Sequence, residues 1–134
     1  MIIDNEYLKM CETLILKTEL SLGDYVCVKN SETKDTGIVV QVGQGTLVEI
    51  KTLEFGVKMA VPKADVFIVY RIDQTLGLAM DRLNTIHPLD VWNKLDETVG
   101  EDLYYSRFNT LEKLVIAIVA KRFFNRTWIN GAWQ

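Results

Sequence analysis

Between Gly23 and Ile72 the apolar residues recur with a period of two, and on both sides of that stretch they recur with the period of a helix. Few folds accommodate such a switch. The middle must form a sheet, and the flanks must pack as helices around or beside it. The alternating segments are short. Residues 25–28 place Val26 and Val28 on one face. A polar turn, 30–37, ends in Gly37 and leads into an apolar strand at 38–42. Gly43-Gln44-Gly45 makes a tight turn before 46–51. Residues 55–61 form a fourth strand that Pro62 ends, and 66–71 form a fifth. Five short strands joined by tight turns predict a small closed or half-open β-barrel.

The flanks read differently. Leu8, Cys11, Leu14 and Ile15 repeat at three- and four-residue spacing, which predicts a helix over 5–18 capped by Asp4 or Asn5. Asp73 suits the N-cap of a helix over 74–86 with Leu76, Ala79, Met80 and Leu83 on one face. Pro88 suits the first position of the next helix, where Leu89, Trp92, Leu95 or Asp96, and Val99 follow. Asn109 with Glu112 resembles a capping box at the start of a helix over 110–124. That helix is apolar nearly all round, so it is expected to be buried. Its run from Leu114 to Ala120, seven residues, is the longest unbroken apolar stretch, far short of the roughly 20 that span a bilayer. The tail carries Trp128 and Trp133, and is expected to dock. The whole, 1–134, reads as one α+β domain: helix 5–18, barrel 23–72, helical part 73–134.

Charge is unevenly spread. Residues 1–20 carry −2, 21–72 carry 0, 73–105 carry −5 and 106–134 carry +4. An acidic middle and a basic tail can pair internally or meet a partner. The first six residues lack the basic and apolar regions of a secretory signal, so the expected location is cytoplasmic, with no membrane association. In that compartment Cys11 and Cys27 read as two small buried hydrophobes rather than a disulfide.

The segment Gly23-Asp24-Tyr25-Val26-Cys27-Val28, followed by Gly37-Ile38-Val39-Val40 and Val48-Glu49-Ile50, resembles the KOW-type SH3-like barrel. Gly23 and Gly37 match the family's glycines, and Val26 and Val28 match its inward valines. The resemblance covers residues of about 21–72. It implies a five-stranded barrel with Gly37 at positive φ. It also implies contact with RNA, DNA or a polymerase, while related SH3-like barrels mostly bind proteins. The loop after the first strand holds Glu32 and Asp35 beside Lys34, where RNA-binding members are rich in glycine and lysine.

Catalytic chemistry finds little footing. His87 is the only histidine, and no cysteine-enzyme signature surrounds Cys11 or Cys27. A structural zinc needs four Cys or His ligands, and three such residues exist. Adjacent acids such as Asp96-Glu97 point in different directions on a helix. Gly43 and Gly45 do not continue into a phosphate-binding loop. The expectation is a chain with no catalytic site, cofactor or metal.

Binding has better candidates. Lys29, Lys51, Lys58 and Arg71 lie on or beside the strands, with Tyr25 and Phe55 near them, and bases with aromatics can hold single-stranded nucleic acid. Six acids in the same segment balance them. Lys121, Arg122 and Arg126, with Trp128 and Trp133, form a second group; cations at a helix C-terminus also have a purely structural use. The expected function is a non-enzymatic binding module, a small regulator or inhibitor of the kind found in phages. Its expected partner is a protein or nucleoprotein complex, with direct RNA or DNA binding as the alternative. The oligomeric state is not written in the sequence.

Overall fold

The computed structural model describes residues 4–29, 35–85 and 87–134. The chain divides into two compact units, Cys11–Tyr70 and Met1–Met10 with Arg71–Gln134. The fold class is α+β, as the two periodicities require.

The first unit is built on an antiparallel sheet of β1 (Tyr25–Val28), β2 (Thr36–Val42), β3 (Leu47–Thr52), β4 (Lys58–Pro62) and β5 (Val66–Ile68). Strand order is β4-β3-β2-β1-β5. The first four strands form a meander, and a 3-10 turn at Lys63–Asp65 brings the fifth back beside β1. Alternation works as the sequence implies. Val26, Val39, Val48, Ile50, Val61 and Val66 form the buried core, with Val28 and Met59 packed against it. The fourth strand starts later than expected, because residues 53–55 form the turn that opens it. The loop holding Glu32 and Lys34 lies outside the described residues.

The fifth strand ends at Ile68 rather than running on to residue 71, and two further expectations fail here. The first helix, α1 (Asn5–Thr13), stops well short of residue 18. Beyond Thr13 the chain is held by Tyr70, whose hydroxyl oxygen accepts the backbone N–H groups of Leu16 and Lys17 at 2.9 and 3.3 Å. Those amides are therefore satisfied without a helical turn. Gly37 is the second. Its φ is not positive; the positive-φ glycines are Gly23, Gly56 and Gly131. Gly37 sits within β2 opposite Val26 and Thr52, and a Cβ there would lie 2.9 Å from the Lys51 carbonyl oxygen. What this position requires is space, not an unusual backbone angle. Gly37→Ala is expected to lose about 1–3 kcal/mol of stability, because the obstructing atom is backbone in a paired strand. Asparagine, which tolerates positive φ, should fare no better. Urea unfolding of both variants checks this.

The second unit contains α2 (Ile72–Leu83), α3 (Pro88–Glu101), a 3-10 turn at Leu103–Arg107, α4 (Leu111–Phe124) and a two-stranded hairpin, β6 (Trp128–Ile129) with β7 (Ala132–Trp133). The N-cap of α2 is Arg71 rather than Asp73, and the Gln74 side chain accepts the Arg71 N–H at 3.0 Å. α4 is capped by Thr110 rather than Asn109; the Thr110 hydroxyl accepts from the Lys113 amide. Asn109 instead accepts from the Lys113 ammonium. Val115–Ala120 are buried, as an all-round apolar helix must be. Asn125 ends α4 in the left-handed conformation.

Lys113 is also buried, although it is charged. Its ammonium lies 2.6 Å from Asp4 and 3.0 Å from Glu6, which tethers the start of α1 to α4. Burial alone would raise the Asp4 carboxyl, but the Lys113 ammonium and the Tyr7 amide together hold it below its ordinary value.

The Asn130-Gly131 turn of the hairpin has both residues at positive φ, as the tightest hairpins require. Trp128 is buried and meets Trp133 edge-on at 5.1 Å. The Trp133 indole N–H donates to the Met10 carbonyl at 2.9 Å. The tail is therefore packed into its unit. Among the described residues no helix is long and apolar enough to cross a membrane.

Candidate binding surfaces

The strand registers bring together residues that are scattered in the sequence. Tyr25 is opposite Ile38, Ile38 is opposite Lys51, and Lys51 is opposite Lys58. Directly opposed residues project from the same face of a sheet. These four therefore form one row across β1-β2-β3-β4, on the side away from Val26, Val39 and Ile50. The row runs from half-buried Tyr25 and Ile38 to exposed Lys51 and Lys58. Near β1 and β5 both faces are covered, since Cys27 and Phe67 are buried too. Towards β3 and β4 the outer face is open.

The β3–β4 turn lies beside the basic end of that row. Phe55 is 77% exposed, with Leu53 and Val57 exposed around it. Gly56 takes positive φ there, and the Val57 amide donates to the Thr52 hydroxyl at 3.1 Å, so the turn is built rather than loose. Lys51 and Lys58 face each other, and among the described residues neither is in an ion pair. Like charges directly opposed across a sheet are unfavourable. An anionic partner would reverse that term.

The other sequence candidates are elsewhere. Lys29 lines a groove of about 540 Å³ in the same unit, with Leu14, Lys17, Lys63, Phe67 and Tyr70. Two of its three ammoniums are engaged: Lys17 with Asp24 at 2.8 Å, and Lys63 with the Gly43 carbonyl at 2.8 Å. Arg71 belongs to the helical unit and pairs with Asp73 at 3.1 Å. Lys121 pairs with Asp102 and lies over the rings of Tyr104 and Tyr105 at 5.0 and 5.5 Å. Its hydrogen bond holds the Asp102 carboxyl below the ordinary range. Burial, aided by the Asp102 charge, pushes the Tyr105 hydroxyl up to about 12. Trp128 is locked by its amide, which donates to the Tyr104 hydroxyl oxygen at 2.6 Å, and Trp133 is half-buried against it. Arg122 and Arg126 remain exposed. Of the C-terminal group, then, only these two offer charge at the surface.

Cys11 and Cys27 are both buried thiols. His87 is exposed at the N-cap of α3. Among the described residues no three His, Cys, Asp or Glu side chains converge in a way that could hold a metal ion. Comparison with protein-family models, with curated proteins and with solved structures finds no match.

One apolar surface went unrecognised in the sequence. Of the α3 residues expected on one face, Leu89, Trp92 and Val99 are exposed and Leu95 is buried; Val91, outside that pattern, is buried beside Leu95. The helix has two apolar stripes, and its periodicity alone does not say which turns inward.

Proposed function

We propose that the chain is a non-enzymatic binding module, a small cytoplasmic regulator or inhibitor that engages a protein or nucleoprotein assembly through the outer face of an SH3-like barrel. The barrel reading is supported by the meander order and the return of β5 to β1. It is also supported by the irregularity between Val39 and Gln41, since bulges increase the coiling of a sheet. The observation that carries the binding reading is the Tyr25–Ile38–Lys51–Lys58 row ending beside an exposed Phe55. Aromatic anchors flanked by polar and charged rims are the usual makeup of protein-binding sites.

The two facing lysines beside an aromatic ring also favour a second reading, direct contact with single-stranded RNA or DNA. One set of variants separates the two. Phe55→Ala and Lys58→Glu change exposed side chains, so both should stay folded by circular dichroism. Quantitative capture from the source cell should lose one specific protein about tenfold or more with either variant. Direct nucleic-acid binding would instead appear as affinity for a generic single-stranded oligonucleotide. Its logarithm should fall with that of salt at a slope of about −1.4, for two phosphates neutralised. Unchanged capture and no oligonucleotide affinity would remove this face from consideration.

A further inference from the structure

The helical unit leaves a stripe of apolar side chains exposed along α3. Val91 and Leu95 face the core with Ala79, Tyr105, Ile118 and Val119. Leu89 is 67% exposed, Trp92 47% and Leu103 89%, and Val99 is exposed with them. Together with Asp96, the α3 residues 89, 92, 96 and 99 recur at three- and four-residue intervals, and Leu103 follows just beyond the helix end. That is the spacing of an interhelical seam. Val99 and Leu103 line one shallow depression with Asp102 and Ser106, so the apolar surface continues past the helix end. Clustered apolar side chains left in solvent on one helix face are a common feature of interaction sites.

Charge selects the occupant. The stripe's one polar member is Asp96, and exposed Asp90 and Glu97 lie on its outer flank. The only base on α3 is Lys94, at 4.0 Å from Glu97. Phosphates would be repelled by this face. A second copy pairing through the same stripe would bury two Asp96 carboxylates in an apolar seam with no base on the stripe to meet them, which is costly. We propose that the α3 stripe docks an amphipathic helix of a partner protein. That helix would carry an apolar seam with a lysine or arginine opposite Asp96, and basic residues facing Asp90 and Glu97. A single charged seam position of this kind sets register and partner choice.

The test uses the full chain, labelled with nitrogen-15, and a synthetic three-heptad helical peptide. The peptide has a leucine seam, one central seam lysine and lysine flanks. Amide shifts should saturate and map to residues 89–103. Trp92→Ala should weaken binding about tenfold or more, as loss of a central aromatic anchor does. Asp96→Lys should weaken it by a similar factor, and a peptide with glutamate at the central position should restore binding to Asp96→Lys alone. All of these positions are exposed, and circular dichroism verifies folding. Shifts mapping elsewhere, or affinity indifferent to the charge exchange, would overturn the proposal. So would self-association of the wild type that Leu89→Asp abolishes.

Discussion

Replacing Asp4 and Glu6 together by Asn and Gln should cost the protein about 3 kcal/mol, far more than two partly exposed surface substitutions ordinarily do. The reason is what they leave behind. The Lys113 ammonium is buried on α4, and its ion-pair partners are these two carboxylates. Without them, among the described residues, the buried cation keeps the neutral acceptor Asn109. Lys113→Met removes charge and partner requirement at once and keeps the aliphatic volume, so it should cost less than about 1.5 kcal/mol. The ordering, and not either value alone, identifies the network. Its pH dependence follows from the directions of the shifts. Asp4 is depressed in the folded state, so its contribution is present above its unfolded pKa of about 3.9 and is lost as pH falls through the lower folded value. Lys113 is raised, despite the opposing effect of its burial, by its hydrogen bonds to Asp4 and Glu6. Its contribution is full below an unfolded pKa of about 10.4 and disappears only as pH rises through the higher folded value. Chemical denaturation between pH 7 and 2 should therefore show a steeper acid loss for the wild type than for Lys113→Met.

Trp128→Ala is expected to be the most damaging single change in the tail, at about 3–5 kcal/mol. The indole is buried, stacked edge-on against Trp133, and its backbone is fixed from two directions. Its amide donates to Tyr104, and its carbonyl accepts from Arg107 at 3.3 Å. Truncation after Asn125 removes both tryptophans and the Trp133 bond to Met10, so it should unfold the helical unit rather than release an appendage. Differential scanning calorimetry checks both. A truncated chain with unchanged melting would show that the tail contributes nothing to the core.

The sheet was legible because a strand declares itself locally: each alternate side chain of 25–28, 38–42 and 46–51 carries its own evidence. The row of Tyr25, Lys51 and Lys58 was half legible. Its members could be named, but their alignment depends on register, which no single strand contains. Three features escaped for different reasons. Leu14, Ile15 and Leu16 continue an apolar pattern past Thr13, and the contact that ends the helix comes from Tyr70, distant in sequence. Gly37 shows that a glycine serving space is written the same way as one serving backbone angle. The burial of Lys113 depends on residues at the opposite end of the chain. The tail hairpin was missed as well, although its signal is local: Asn130-Gly131 between Trp128-Ile129 and Ala132-Trp133 is the strongest short-range turn dipeptide.

The position of β4 at the end of the strand order leaves one edge of the sheet unpaired by another strand. An outermost strand offers its unused amides and carbonyls to any extended chain it meets, including another copy of itself. β4 begins with a lysine and ends with a proline, so one end resists approach by charge and the other lacks a donor. Lys58 thus guards the open edge against unwanted strand addition. A hydrophobic residue there would invite strand addition and fibre growth along this edge.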